Sequence, residues 1–267
     1  DRFQQVAGDY EERGILNSEM LAVCAVCDEL GVEVIIESGR CRGQSTLLLA
    51  KYFQDRPVQI VSVELARNED ATFAEERLSP YPNVQLLYGD SRKLIPRLVK
   101  KWAGKRMAVL LDGPKGVQAI SLVQALFQSS EDAIVAFIHD MRKGVPHRAI
   151  LQENLPRVFF SDDHSFVETY SELDAACQPA PGEPITIHTW RPYMKGQDSI
   201  ESYGPTLATV FPGGTKSWEG GGGGIVKAPN IWIRRARKLH SLLVHYGPHL
   251  AFKQFLKWVQ RKLNRIS

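Results

Sequence analysis

The chain has 267 residues, enough for one large domain or one domain with an appendage. Its 43% hydrophobic and 24% charged content excludes wholesale disorder. Four cysteines are too few for a disulfide scaffold and fit a reducing compartment, so the cytoplasm is the expected location. No apolar run approaches the roughly 20 residues needed to span a bilayer.

In chain order, the text alternates between helix-like and strand-like segments. Residues 18–30 read as a leading helix with Ser18 as its cap. Cys24 and Cys27 fall inside its apolar run and read as packing residues, since no second Cys pair completes a zinc site. Five β-branched, apolar stretches follow: Val32 to Glu37, Val58 to Glu64, Val84 to Tyr88, Met107 to Asp112 and Ala133 to His139. Helical patterns at 43–54, 68–78, 91–102 and 117–128 separate them, the third capped by Ser91. Strands alternating with helices of this length predict a doubly wound, mostly parallel α/β sheet joined by right-handed crossovers. Beyond His139 the pattern loosens. Residues 155–160 and 185–190 are weaker strands, and 193–218 show no period.

Five glycines at 220–224 form a flexible joint, placing a domain boundary there. The expected organisation is a catalytic domain over 1–219, the linker 220–224 and a helical tail over 225–267. The net charge of +3 conceals an asymmetry. The tail holds ten Lys/Arg and no Asp or Glu, against 23 basic and 30 acidic residues in the remainder. Leu239, Leu242, Leu243 and Tyr246, then Phe252, Phe255, Leu256, Val259 and Leu263, recur at helical spacing. Two basic amphipathic helices of this kind suit an anionic membrane surface, at about 1 kcal/mol per surface cation. Packing on the body, a homo-oligomer contact and RNA binding are the rival readings.

Glu37, Glu64, Asp90, Asp112 and Asp140 each lie at or just past the end of a predicted strand, at intervals of 27, 26, 22 and 28 residues. A parallel sheet binds ligands along that edge, near the reversal in strand order. The first turn reads Glu37-Ser-Gly39-Arg40-Cys41-Arg42-Gly43-Gln-Ser45. Gly39 allows a tight turn and Gly43 lets the next helix pack close. Cys41 and Gln44 break the Gly-x-Gly-x-x-Gly dinucleotide pattern, which disfavours a nicotinamide enzyme. Arg40 and Arg42 flank the turn and are candidates to meet an acidic substrate.

These residues resemble the class I S-adenosylmethionine-dependent methyltransferases, whose first motif is acid-x-Gly-x-Gly-x-Gly. Glu37, Gly39 and Gly43 match it and Cys41 departs from it. The resemblance covers residues 17–190 and implies a Rossmann-like seven-stranded sheet and S-adenosylmethionine as cofactor. It implies that the turn carrying Glu37, Gly39, Gly43 and Ser45 faces the cofactor's methionine part. It further implies that Glu64 binds the ribose and that Asp90 and Ser91 lie by the adenine, with Asp112 also at the cofactor. Leu111-Asp112-Gly-Pro-Lys115 and Ile138-His139-Asp140 are similar to segments of small metal-dependent O-methyltransferases, of the catechol and macrocin types. That likeness makes Asp112, His139 and Asp140 candidate ligands for Mg²⁺ or Mn²⁺. It makes Lys115 the candidate base, with His139 as the alternative. A histidine among the ligands suits Mn²⁺ better than Mg²⁺, or no metal at all.

Methyl transfer to an alcohol is an in-line displacement that needs an aligned nucleophile and a group to take its proton. The expected activity is O-methylation of a saccharide or glycolipid precursor, with the tail holding the protein peripherally on the inner face of a membrane. An RNA-binding protein directed by the tail and a non-catalytic scaffold of the same fold are the alternatives. Trp190, Arg191, Tyr193 and Tyr203 are candidates to line the acceptor pocket.

Overall fold

The computed structural model describes residues 2–8, 11, 14–177 and 205–212. Helices α1 (Arg2–Val6) and α2 (Asn17–Leu30) precede the sheet. Strand–helix units follow: β1 (Val34–Ser38) and α3 (Gln44–Tyr52), β2 (Gln59–Glu64) and α4 (Glu69–Leu78), β3 (Val84–Tyr88) and α5 (Ser91–Lys101). They continue with β4 (Met107–Leu111) and α6 (Val117–Ser129), then β5 (Ala133–Ile138) and α7 (Pro146–Asn154). Strand β6 (Val158–Phe160), helix α8 (His164–Tyr170), a 3₁₀ turn at Ser171–Cys177 and β7 (Ala208–Val210) complete the described chain.

The seven strands form one sheet in the order β3-β2-β1-β4-β5-β7-β6. Strands β1 to β5 are parallel, and β7 runs antiparallel to both β5 and β6. This is a Rossmann-like, methyltransferase-type sheet, and the chain reverses its direction of winding between β1 and β4. Strand β7 falls inside residues 193–218, where the sequence shows no period. Three residues are too few to display an alternation, so only its partners reveal it. The 185–190 strand, the glycine joint and the basic tail lie outside the described residues.

The two-residue period of the strands sorts the core into two layers. Ile35, Ile60, Leu110, Val135 and Phe137 face Met20, Val23, Leu49 and Phe53 on one side. Ile36, Val61, Val109, Leu111 and Ile138 face Ile95, Ile120, Val123 and Leu126 on the other. Strands β1, β4 and β5 are buried along their whole length, which is why they read as unbroken apolar runs. Cys24 and Cys27 pack into the first layer, where burial pushes both thiols up.

Two expected caps are corrected. Leu16, not Ser18, precedes the first turn of α2; the Ser18 N–H donates to Asp174 Oδ1 at 2.9 Å. Asp90, not Ser91, caps α5 by accepting from the Arg92 N–H at 2.9 Å. Ser91 lies inside the helix and its hydroxyl donates to the Gly113 carbonyl at 3.2 Å.

Candidate functional site

Backbone pairing runs one step past the strands and aligns their C-terminal ends. Gly39 N–H donates to Val63 O (3.0 Å), Gly89 to Glu64 O (2.8 Å), Asp112 to Ser38 O (2.8 Å) and His139 to Leu111 O (2.9 Å). The strand-end acids therefore start from one edge, but they divide into three environments.

Glu37 turns inward and is 1% exposed. Its carboxylate accepts from Ser45 Oγ, Thr46 Oγ1 and, at 2.8 Å, Ser62 Oγ. Ser62 stands opposite Glu37 in the β1–β2 register, which fixes that contact. Burial raises the Glu37 pKa against these hydroxyls, which favour the ionised form. Glu37 and Ser45, expected at the cofactor, are thus bonded to each other beneath the turn. Ser45 also lines a cleft of about 20 Å³ with Gly39, Cys41 and Asp112.

The turn above them is closely fitted. Gly39 has φ +91°, and a Cβ there would stand 2.9 Å from the Asp112 carbonyl carbon. Gly43, at φ +80°, leaves room for Ala74 and Leu78 of α4. Arg40 also lines that cleft, but its guanidinium is directed into the protein. It is 2% exposed, donates from Nη1 to Ser62 O at 2.8 Å, and lies 4.9 Å from the Tyr88 ring centroid. Arg42 is exposed and pairs with Asp70 at 3.3 Å.

Glu64 and Asp90 flank a cavity of about 230 Å³ beside the switch in strand order. Gly39 and Ser91 line it, as do Leu65 and Gln118, which sequence reasoning missed. Glu64 accepts from the Cys41 N–H at 2.8 Å and from the Leu65 N–H at 2.7 Å, holding turn and cavity wall together. Leu65 is 70% exposed and lines this cavity. Its apolar type after an acid at a strand end was the available signal. Arg92 holds the Asp90 carboxyl below the usual range.

The third environment joins Asp112, His139, Asp140 and Lys115. Single ligand atoms of Asp112, His139 and Asp140 lie within 4.8 Å of one another. His139 Nδ1 is 2.8 Å from Asp112 Oδ1, and Nε2 is 3.2 Å from Glu19 Oε2. Glu19 is fully buried on α2 and also accepts from Ser161 Oγ at 2.9 Å. Sequence reasoning missed it, although an acid on the apolar stripe of Leu16, Val23 and Cys27 was the signal. Lys115 Nζ pairs with Asp112 Oδ1 and, at 2.5 Å, with Asp140 Oδ2.

Electrostatics set the charge of both candidate bases. Burial favours neutral His139, but Asp112 and Glu19 outweigh it and push its pKa up to about 10. Burial likewise opposes the Lys115 charge, and Asp112 and Asp140 outweigh it to raise that pKa. Burial raises Asp112, while His139 and Lys115 prevail and lower it. As arranged here, both candidate bases hold their protons. Two carboxylates and an imidazole form a mixed oxygen–nitrogen donor set that fits a divalent transition ion. The ammonium of Lys115 sits against the same carboxylates.

No protein-family model matches the chain, and no curated protein sequence matches it. Similar solved structures include the O-methyltransferase TomG of Streptomyces achromogenes, involved in tomaymycin synthesis and solved with S-adenosylmethionine. It is 15% identical, over 75% of this chain and 82% of that one, at a TM-score of 0.49. An O-methyltransferase of Bacillus cereus with S-adenosylhomocysteine is 14% identical over 79% and 90%, at 0.47. The S-adenosylhomocysteine-bound methyltransferase PaMTH1 of Podospora anserina is 12% identical over 80% and 86%, at 0.43. The assignment of fold rests on the strand order of this chain.

Proposed function

We propose that the protein is an S-adenosylmethionine-dependent O-methyltransferase. The observation that carries this reading is the cavity at the topological switch point, flanked by Glu64 and Asp90. A carboxylate at the end of the second parallel strand suits a ribose diol, because it accepts two hydroxyl hydrogen bonds. The exposed Leu65 side chain offers an apolar face to a purine. S-adenosylmethionine supplies an electrophilic methyl group; this chain's residues hold it and bring up the acceptor.

The acceptor hydroxyl belongs beside Asp112, His139 and Asp140, one loop from the cofactor cavity. Asp112, Asp140 and Nδ1 of His139 are the residues that would hold a divalent ion, which would displace the Nδ1 proton on binding, with Mn²⁺ favoured over Mg²⁺ by the imidazole. Such an ion supplies positive charge that acidifies a bound hydroxyl. His139 is 5% exposed with both ring nitrogens engaged, so it orients rather than takes a proton. Lys115 is about half exposed and is the base of this reading. With the charges of Asp112 and Asp140 spent on an ion, the influence that keeps its proton is removed.

The acceptor class is a saccharide or glycolipid precursor, supported by the likeness of the Asp112 and His139 segments to macrocin-type O-methyltransferases, which act on antibiotic sugars. The basic segment 225–267 is assigned to an anionic membrane surface. Among the described residues no helix is long and apolar enough to cross a membrane. Calorimetry with S-adenosylhomocysteine, with and without Mn²⁺ and Mg²⁺, tests the cofactor and ion together. Micromolar binding is expected, and no binding under any condition would end the reading. Truncation at Gly220 tests the tail: loss of binding to anionic vesicles is expected, and unchanged binding refutes the assignment.

A further inference from the structure

Asp140 has φ +63°, a left-handed conformation that costs a side chain with a Cβ of its own. Aspartate enters this region more readily than most side chains but still less readily than glycine, so contacts that fix its backbone contribute to holding it there. Two adjacent residues at the start of α7 do so. His147 Nε2 lies 3.1 Å from the Asp140 carbonyl oxygen, and Arg148 Nη1 donates to the Met141 carbonyl at 2.9 Å. A carbonyl only accepts, so His147 carries its proton on Nε2. The N–H of Met141 is tied in turn to Thr206 O at 2.9 Å.

The imidazole also reaches the preceding loop. Gly116 has φ +59°, and a Cβ there would stand 3.4 Å from His147 Nδ1. His147 is therefore wedged between the turn that carries Lys115 and the carbonyl of Asp140. Arg148 is anchored by a two-point pair with the buried Asp162, one arm at 2.9 Å, so the start of α7 does not drift. What the clamp fixes is the Asp140 carboxylate, which meets Lys115 at 2.5 Å and stands 3.6 Å from His139 Nδ1.

We propose that His147 is a positioning residue that holds Asp140 in its left-handed conformation and thereby places the Asp140 carboxylate in the Asp112–His139–Asp140 group. The significance for catalysis rests on the reading of that group as the ion and acceptor site. The conformational claim does not.

The test has two arms. Stability variants at position 140 read the backbone directly, because glycine is favoured over alanine only where φ is positive. With His147 present, Asp140→Gly should melt several degrees above Asp140→Ala. In a His147→Ala background that gap should close, and with His147→Gln, whose amide can donate to the same carbonyl, it should persist. A gap that is the same with and without His147 overturns the proposal. The second arm measures free Mn²⁺ by electron paramagnetic resonance. His147→Ala should weaken Mn²⁺ binding about tenfold, the usual loss for a group orienting a metal ligand. His147→Gln should recover most of it, and S-adenosylhomocysteine affinity should not change. Unaltered Mn²⁺ affinity in His147→Ala overturns the role at the ion site. If the native protein takes up no Mn²⁺, the ion reading fails, and the gap at position 140 still decides the clamp.

Discussion

Glu19 reaches His139 across 120 positions of sequence, and its carboxylate lies 3.2 Å from Nε2 of the ring. The contact joins the helix before the sheet to the end of its fifth strand. It leaves Nδ1 facing Asp112, in the carboxylate–imidazole arrangement that orients histidines at ion sites.

That contact has a pH signature. Against the effect of burial, Asp112 chiefly and Glu19 further raise the folded His139 pKa to about 10, above its ordinary 6.5. The resulting stabilisation is complete below pH 6.5 and is lost as pH rises through about 10. Glu19→Gln should lower the His139 pKa by at least about one unit, since an adjacent opposite charge is removed. The loss of stability should then begin at lower pH. Ring-proton NMR titration and urea midpoints across pH 6–10.5 measure both effects. An unchanged titration would show that Glu19 does not govern the ring's charge.

Lys115 and a divalent ion compete for Asp112 and Asp140. Lys115→Met keeps the length of the side chain and removes the ammonium. Mn²⁺ affinity should rise about 3- to 10-fold, roughly 0.7–1.4 kcal/mol. Methyl transfer, with its base gone, should fall at least 100-fold. Weaker Mn²⁺ binding in this variant would mean that the lysine supports the ion instead of excluding it.

Glu64→Ala should weaken S-adenosylhomocysteine binding about 10- to 100-fold, the value of charged hydrogen bonds at about 1.5–3 kcal/mol. Leu65→Ala should cost less, about fivefold, by removing apolar contact alone. Calorimetry distinguishes them, and equal affinity in the Glu64 variant would place the ribose elsewhere.

Gly39→Ala forces a Cβ to 2.9 Å from the Asp112 carbonyl carbon at φ +91°. It should lower stability by about 1–3 kcal/mol and reduce cofactor binding together, because turn and cavity share the residue. Thermal melting and calorimetry on one preparation check the pair. Gly104→Ala meets nothing within 4 Å but shares a positive φ, so it isolates the backbone cost from the collision.

The strands and helices were legible because burial imposes a period: continuous apolar runs at β1, β4 and β5, and helical spacing between them. Strand β7 was not, since three residues carry no period of their own. Glu64, Asp90, Asp112 and Asp140 were singled out from their places at strand ends, and the fold sets them at the cavity or in the cluster beside it. Glu37 shares that position in sequence and not in environment, because its side chain leaves the strand on the side that α3 covers.

By itself, the order of residues determined a parallel α/β sheet, the edge where its acids collect and the glycines its first turn requires. Tertiary structure alone decided which acids face a cavity, which are neutralised by their own chain, and that Glu19 and His147 join the site. The reason is physical: period and propensity act within a few neighbours, whereas a carboxylate's environment is set by whichever distant segment packs against it.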